Sequence, residues 1–155
     1  MSRSPEEMMH LALEVASSGT SNDLPIGAVI FDSSGSTISS SKNAVIERDC
    51  ATAHAELLVI GDVNLKRLKS EAKNMALVVT LEPCPMCAWA IRSSGFGQLI
   101  FGSYNPLYGA AGSVLDLLRD GRHGPTVEVI GGVMQEECRL LLGDAFLKIR
   151  NNGMR

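Results

Sequence analysis

Three side chains of types that can bind zinc, and one of a type that can move protons, lie in two short segments of this 155-residue chain. Thr52-Ala53-His54-Ala55-Glu56 supplies an imidazole and a carboxylate, and Pro83-Cys84-Pro85-Met86-Cys87 supplies two thiols. One nitrogen and two sulfurs make three ligands of a tetrahedral ion whose fourth position stays open for water, whereas structural zinc sites close with four protein ligands. The set therefore suits one catalytic Zn²⁺ per chain, held by His54, Cys84 and Cys87. Glu56 is not needed as a ligand and is free to act as general acid and base. Either half alone carries little, because a lone His-x-Glu arises by chance and a lone Cys-x-x-Cys also makes zinc knuckles and redox pairs. In this order, each opening a helix, they describe one site.

The elements that must position these residues read as one alternating α/β unit. Ser4-Pro5-Glu6-Glu7 has the form of a capping box, with proline in the first turn, and Met8, Met9, Leu11, Ala12, Val15 and Ala16 follow at helical spacing. Ile26 to Phe31 and Thr37 to Ser41 form a predicted hairpin around Asp32-Ser33-Ser34-Gly35. Asn43 to Thr52 is loop. A helix is expected from about Ala53 to Leu68, a strand over Ala76 to Thr80, a second ligand-bearing helix over Cys84 to Ser93, and a strand over Gln98 to Phe101. Residues 102–126 form a long connection with a short helix expected near Val114–Leu118. A strand over Val127 to Gly131 and a helix over Met134 to Arg150 close the pattern. A connection of that length fits a crossover between parallel strands rather than a hairpin. Both ligand helices then lie on one face of the sheet with their N-terminal ends at the metal, where the helix dipole favours thiolate. Residues two apart, such as His54 and Glu56, point to opposite sides of a helix. They share a reactant only if it sits in front of the helix end, whereas Cys84 and Cys87, three apart, share a face.

Length and composition fit a single domain over 1–155 with a core of its own. No apolar run approaches the ~18 residues of a membrane helix. The N-terminus carries Glu6 and Glu7 where a secretory signal carries base, so a cytoplasmic protein is expected. Cys50 and Cys138, the cysteines outside the metal motif, are expected to be free thiols in a reducing compartment. The net charge of −3 is unevenly spread, with three Lys/Arg against nine Asp/Glu in residues 1–62. Lys66, Arg67, Lys69 and Lys73 cluster after the first motif and read as a solvated helix surface.

The chain resembles the bacterial tRNA-specific adenosine deaminases of the cytidine deaminase-like superfamily. The resemblance rests on Leu24-Pro25-Ile26-Gly27-Ala28-Val29, Thr52 to Glu56, Val79-Thr80-Leu81-Glu82-Pro83-Cys84-Pro85-Met86-Cys87-Ala88, Phe101-Gly102, Gly109-Ala110-Ala111-Gly112-Ser113, and Glu137-Cys138 before Leu140-Leu141-Leu142. It implies a three-layer α/β fold with a central mixed five-stranded sheet and helices on both faces. It also implies a homodimer that hydrolytically converts adenosine to inosine at the wobble position of a tRNA anticodon stem-loop. Carried over by residue, Asn43 recognises the flipped base, while the Ala55 amide and the Pro83 carbonyl contact its edge and amino group. Two other functions use the same residues. A deaminase of a free base or nucleoside (guanine or cytosine type) shares the zinc site, and a non-catalytic zinc-stabilised RNA-binding subunit shares the ligands but has no use for Glu56.

The chain departs from that family's pattern at Trp89, where glycine is common, and over Ser103-Tyr104-Asn105-Pro106-Leu107-Tyr108. That stretch replaces one with an acidic residue followed by lysine. A neutral Asn105 would not repel an incoming phosphate backbone as an acid does, which places it among the expected substrate contacts. Its plain alternative is a turn-shaping residue before Pro106. Tyr104 and Tyr108 are candidates for stacking on unpaired bases.

Overall fold

The computed structural model describes residues 2–151. The first helix, α1 (Pro5–Ser17), begins as its sequence predicts. Ser4 Oγ accepts the Glu7 amide at 3.2 Å and the Glu7 carboxylate accepts the Ser4 amide at 2.7 Å, so two of the helix's orphan donors are satisfied. Met8, Met9, Ala12 and Ala16 are its buried face. The hairpin of β1 (Gly27–Phe31) and β2 (Thr37–Lys42) turns at Asp32, whose carboxylate accepts the amides of Ser34 and Ser36. Gly35 takes the positive φ of 83° that closes the turn.

The predicted helix from about Ala53 to Leu68 is two helices, α2 (Ala55–Asp62) and α3 (Leu65–Glu71). Val63 is extended (φ −92°, ψ 125°), and the Asn64 side chain caps the new helix by accepting the Arg67 amide at 2.9 Å. A mid-pattern asparagine that can bond its own backbone is a helix start as readily as a helix interior, and here the start wins. The basic cluster rides on α3 and the turn after it, with Lys66, Lys69 and Lys73 exposed and the half-buried Arg67 paired to Glu71 at 3.0 Å.

Strands β3 (Ala76–Leu81), β4 (Gln98–Ser103) and β5 (Glu128–Ile130) complete a mixed five-stranded sheet of order β2-β1-β3-β4-β5. β1 is antiparallel to both neighbours, whereas β3, β4 and β5 are mutually parallel. The connection after β4 is therefore a crossover, as its length implies. It contains no helix at 114–118. The Asp116 carboxylate accepts the amides of Leu118 and Arg119, and Asp116 bridges to Ala111, so the segment is held as turns, with a 3₁₀ turn at Gly121–His123. Aspartate competing for nearby amides disfavours a continuing helix.

Alternation along the strands divides the core into two layers. Ala28, Ile30, Leu77, Val79, Leu99 and Phe101 face α2 and α4 (Pro85–Ser93), meeting Ala55, Val59, Ala88 and Ile91. Val29, Phe31, Val78 and Ile100 face the other way, against Met8, Met9 and Ala12 of α1 and Cys138 of α5 (Gln135–Asn151). The result is the expected three-layer arrangement, with both ligand-bearing helices on one face. Among the described residues no helix is long and apolar enough to cross a membrane. Cys138 is buried and free. It packs where Gly102 of β4 has no side chain, since a Cβ there would fall on its sulfur. Cys50 is free and exposed.

Gly27 permits the closest approach of α1 to the sheet, because a Cβ at that position would land on the Ala12 carbonyl oxygen and the Ala16 amide. Backbone cannot yield as a flexible side chain does. Gly27→Ala is expected to lower unfolding free energy by about 1–3 kcal/mol or more, measured by urea denaturation.

Candidate active site

Both ligand segments sit past the carboxyl ends of the strands, at the starts of helices. His54 is the N-cap of α2 and Cys84 the N-cap of α4, both in extended backbone (φ −75°, ψ 147° and φ −71°, ψ 170°). The predicted helices thus begin two residues and one residue later than expected. That offset removes the geometric difficulty of a His and a Glu two apart: His54 lies outside the helix and projects across its end, while Glu56 is in the first turn. Cys87, in the first turn of α4, comes round beneath Cys84.

The ligand atoms of His54, Cys84 and Cys87 all lie within 4.8 Å of one another. His54 Nδ1 is 3.7 Å from Cys84 Sγ and 3.4 Å from Cys87 Sγ. Zinc bonds of about 2.0–2.1 Å to nitrogen and about 2.3 Å to sulfur, at a tetrahedral angle, require about 3.5 Å between the two atoms. The donor set and its spacing therefore fit one zinc ion, with Nδ1 as the histidine's ligand atom.

The electrostatics agree. The Cys87 thiol beside Cys84, together with the His54 imidazole, pulls the Cys84 thiol down to about 4 despite partial burial, while the neighbouring sulfur and desolvation push Cys87 up. The hydrogen bond to Cys84 raises His54. Glu56 is buried at 5% exposure, and desolvation raises its carboxyl to about 7. A carboxyl near neutrality is suited to both taking and giving a proton.

The sequence-predicted substrate contacts are distributed around this centre. Asn43 is buried at the end of β2, its amide donating to Ile26 O at 2.9 Å, and the next amide, of Ala44, donates to Ala53 O. That bond closes the 45–52 loop and sets Asn43 beside the irregular segment entering His54. Ala55 is the first residue of α2, where an amide has no intrahelical partner. The Pro83 carbonyl already accepts the Ala110 amide at 2.8 Å. Asn105 is buried, and its side-chain oxygen accepts the amides of Leu107 and Tyr108, so it shapes the turn that contains Pro106. Tyr104 packs edge-on against Phe101 at 5.1 Å, whereas Tyr108 is half exposed.

Two carboxylates that the motif reading left without a role hold the flanking loops. Glu82, 1% exposed, accepts the amides of Asn105, Ala111 and Ser113 and the Ser113 hydroxyl. Asp23 accepts the amides of Ile46 and Glu47 at 2.7 and 3.0 Å. An acid immediately after the wholly buried run of β3 was the available signal for Glu82. Asp23, in a stretch of Ser, Asn and Asp, had none.

Comparison with known proteins places this geometry. Residues 2–103 match the cytidine and deoxycytidylate deaminase zinc-binding region. A tRNA-specific adenosine deaminase of Haemophilus influenzae is 38% identical over 148 residues, covering 94% of this chain and 84% of the relative. A solved structure from studies of A-to-I editing by tRNA:A34 deaminases at the wobble position superposes with a TM-score of 0.78 at 35% identity, over 88% of this chain and 99% of that one. The guanine deaminase of Nitrosomonas europaea shares the fold, with a TM-score of 0.73 at 23% identity, over 94% and 85%. With its ligands at zinc spacing and a carboxyl poised beside them, the chain belongs to the cytidine and deoxycytidylate deaminase family and is a zinc-dependent hydrolytic deaminase.

Proposed function

We propose that this deaminase converts adenosine to inosine at the wobble position of a tRNA anticodon. We propose further that it acts as a cytoplasmic homodimer in which residues 1–155 work as one domain. The observation that carries the substrate is the identity of 35–38% to proteins named for tRNA adenosine deamination, over most of each chain, against 23% to the guanine deaminase. When bound, zinc supplies the Lewis acidity that makes a water nucleophilic near neutral pH. Glu56 takes a proton from the attacking water and delivers it to the ring nitrogen, then takes the proton of the added hydroxyl and delivers it to the leaving amine, so that adenosine and water give inosine and ammonia. Its burial serves this cycle, since a solvated carboxyl near its usual pKa would give a proton back to the base too rarely.

The surrounding residues orient the base. Asn43, fixed by its neighbours, faces the ring, the free amide of Ala55 donates to it, and the second lone pair of Pro83 O accepts from the amine. A base stacked in a helix cannot reach this centre, so the substrate presents an unpaired nucleotide that can turn out of its strand. Asn105 contributes to the RNA surface through the loop it caps, offering no negative charge to a phosphate backbone.

Glu56→Ala is expected to keep stoichiometric zinc and the fold while losing at least ~10²-fold in turnover, read by inosine release. Cys87→Ala is expected to lose zinc, measured by metal analysis of the purified protein. On a panel of substrates, inosine should form in an anticodon stem-loop, little in fully paired RNA and none from free adenosine. Brisk turnover of guanine with no activity on any stem-loop would transfer the assignment to a free-base deaminase. Analytical ultracentrifugation should give roughly twice the 16.5 kDa chain mass.

A further inference from the structure

At the end of α4 remote from the zinc ligands, a cleft of about 410 Å³ opens between that helix, the segments leading into β3 and β4, and the loop after residue 121. Its wall contains a cation with no counter-charge among the described residues. Arg92 is only 7% exposed and donates to two neutral acceptors, Leu117 O at 2.8 Å and Gly124 O at 2.7 Å, while its Nε has no partner among the described residues. Among the described residues no carboxylate lines the cleft. The acid of the adjoining turn, Asp120, is taken by Arg122 through both Nε and Nη2. Lys73 stands exposed at the mouth and forms no ion pair among the described residues. Burying a guanidinium among carbonyls alone is costly, and an anion arriving in the cleft would offset that cost.

Beside these cations lies the chain's sole tryptophan. Trp89 is 45% exposed, its ring edge-to-face with His123 at 5.7 Å, so that it is fixed in orientation while keeping aromatic surface in solvent. A held guanidinium and an exposed lysine next to an open indole meet the two chemical demands of a nucleotide, a phosphate and a flat base. The volume falls in the range of small-ligand sites. Along α4, Cys84 and Arg92 are separated by about 12 Å of helical rise, which makes this a second site and not an extension of the first.

We propose that this cleft binds a nucleotide, its phosphate held by Arg92 and Lys73 and its base laid on Trp89. The same chemistry is presented by a free nucleotide and by one residue of a single strand. Because Trp89 is the only tryptophan, its fluorescence reports on this cleft directly. Zinc-loaded protein should show saturable quenching by AMP, reversed by inorganic phosphate. Lys73→Glu and Arg92→Gln, each with zinc still stoichiometric, should weaken the AMP dissociation constant at least tenfold. Lys73 is a surface residue, so its variant carries the test if Arg92→Gln fails to fold. An oligoadenylate of four residues that binds at least tenfold tighter than AMP identifies a strand as the natural ligand, and equal affinities identify a free nucleotide. Absence of quenching, or quenching unchanged in Lys73→Glu, overturns the proposal. So does Trp89 emission that responds to protein concentration and not to nucleotide, which would assign the face to a subunit contact. None of these readings depends on the deamination assay, so failure here and failure of the substrate assignment are separately visible.

Discussion

Everything in this fold answers to the convergence of two helix starts on one point. A nitrogen and two sulfurs from segments thirty residues apart must meet at 3.4–3.7 Å before a metal can join them. Neither segment reaches that geometry alone. The floor beneath both helices is the inner face of β1, β3 and β4, where Ala28, Ile30, Leu77, Val79 and Leu99 are wholly buried. Side chains in such an interior pack at crystal-like density, so the two helices cannot slide independently. Parallel β3 and β4 fix the polarity as well: a chain leaving β3 at its carboxyl end must begin α4 there, with its amide donors and positive dipole end facing the thiols.

A second constraint is the fastening of irregular loops to that floor. The loops after β2 and β4 carry or border every proposed base contact, yet a loop has no ladder of its own to make it rigid. Each is tied down by one buried carboxylate that accepts backbone amides, Asp23 for residues 46–47 and Glu82 for residues 105–113. Charge-assisted bonds of this kind are stronger than neutral ones, and removing the acceptor strands each donor at about 1–3 kcal/mol. Gly109 belongs to the same device, because any Cβ there would collide with the Glu82 carboxylate.

The layers were legible in the sequence wherever a periodic pattern met a local signal. The capping box at Ser4, the Asp32 turn, the strand alternation and the ligand motifs each carry their cause within a few residues. What escaped depended on longer or subtler competition. The break at Val63–Asn64 sits inside an unbroken apolar period, and only the capping capacity of Asn64 betrays it. The absent helix at 114–118 reflects Asp116 bonding forward and Ser113 bonding to Glu82, a partner 31 residues away. Asn105 read both as a charge-neutral contact and as a turn former before Pro106, and the turn role is the one its oxygen performs, accepting two amides of its own loop.

That division has a consequence for specificity. The zinc ligands and Glu56 are held by packed layers, so their positions tolerate little variation. The loops are held at single carboxylates, and residues between those anchors are free to differ. In this chain the segment between Glu82's partners exposes Leu107 and Tyr108, and the residues just past it expose Val114 and Leu115, an apolar and aromatic rim. Contacts of that type favour stacking and shape over charge, and every base has a face to stack. Substrate choice in this fold can therefore change by exchanging rim residues while the chemistry, and the convergence that permits it, stays fixed.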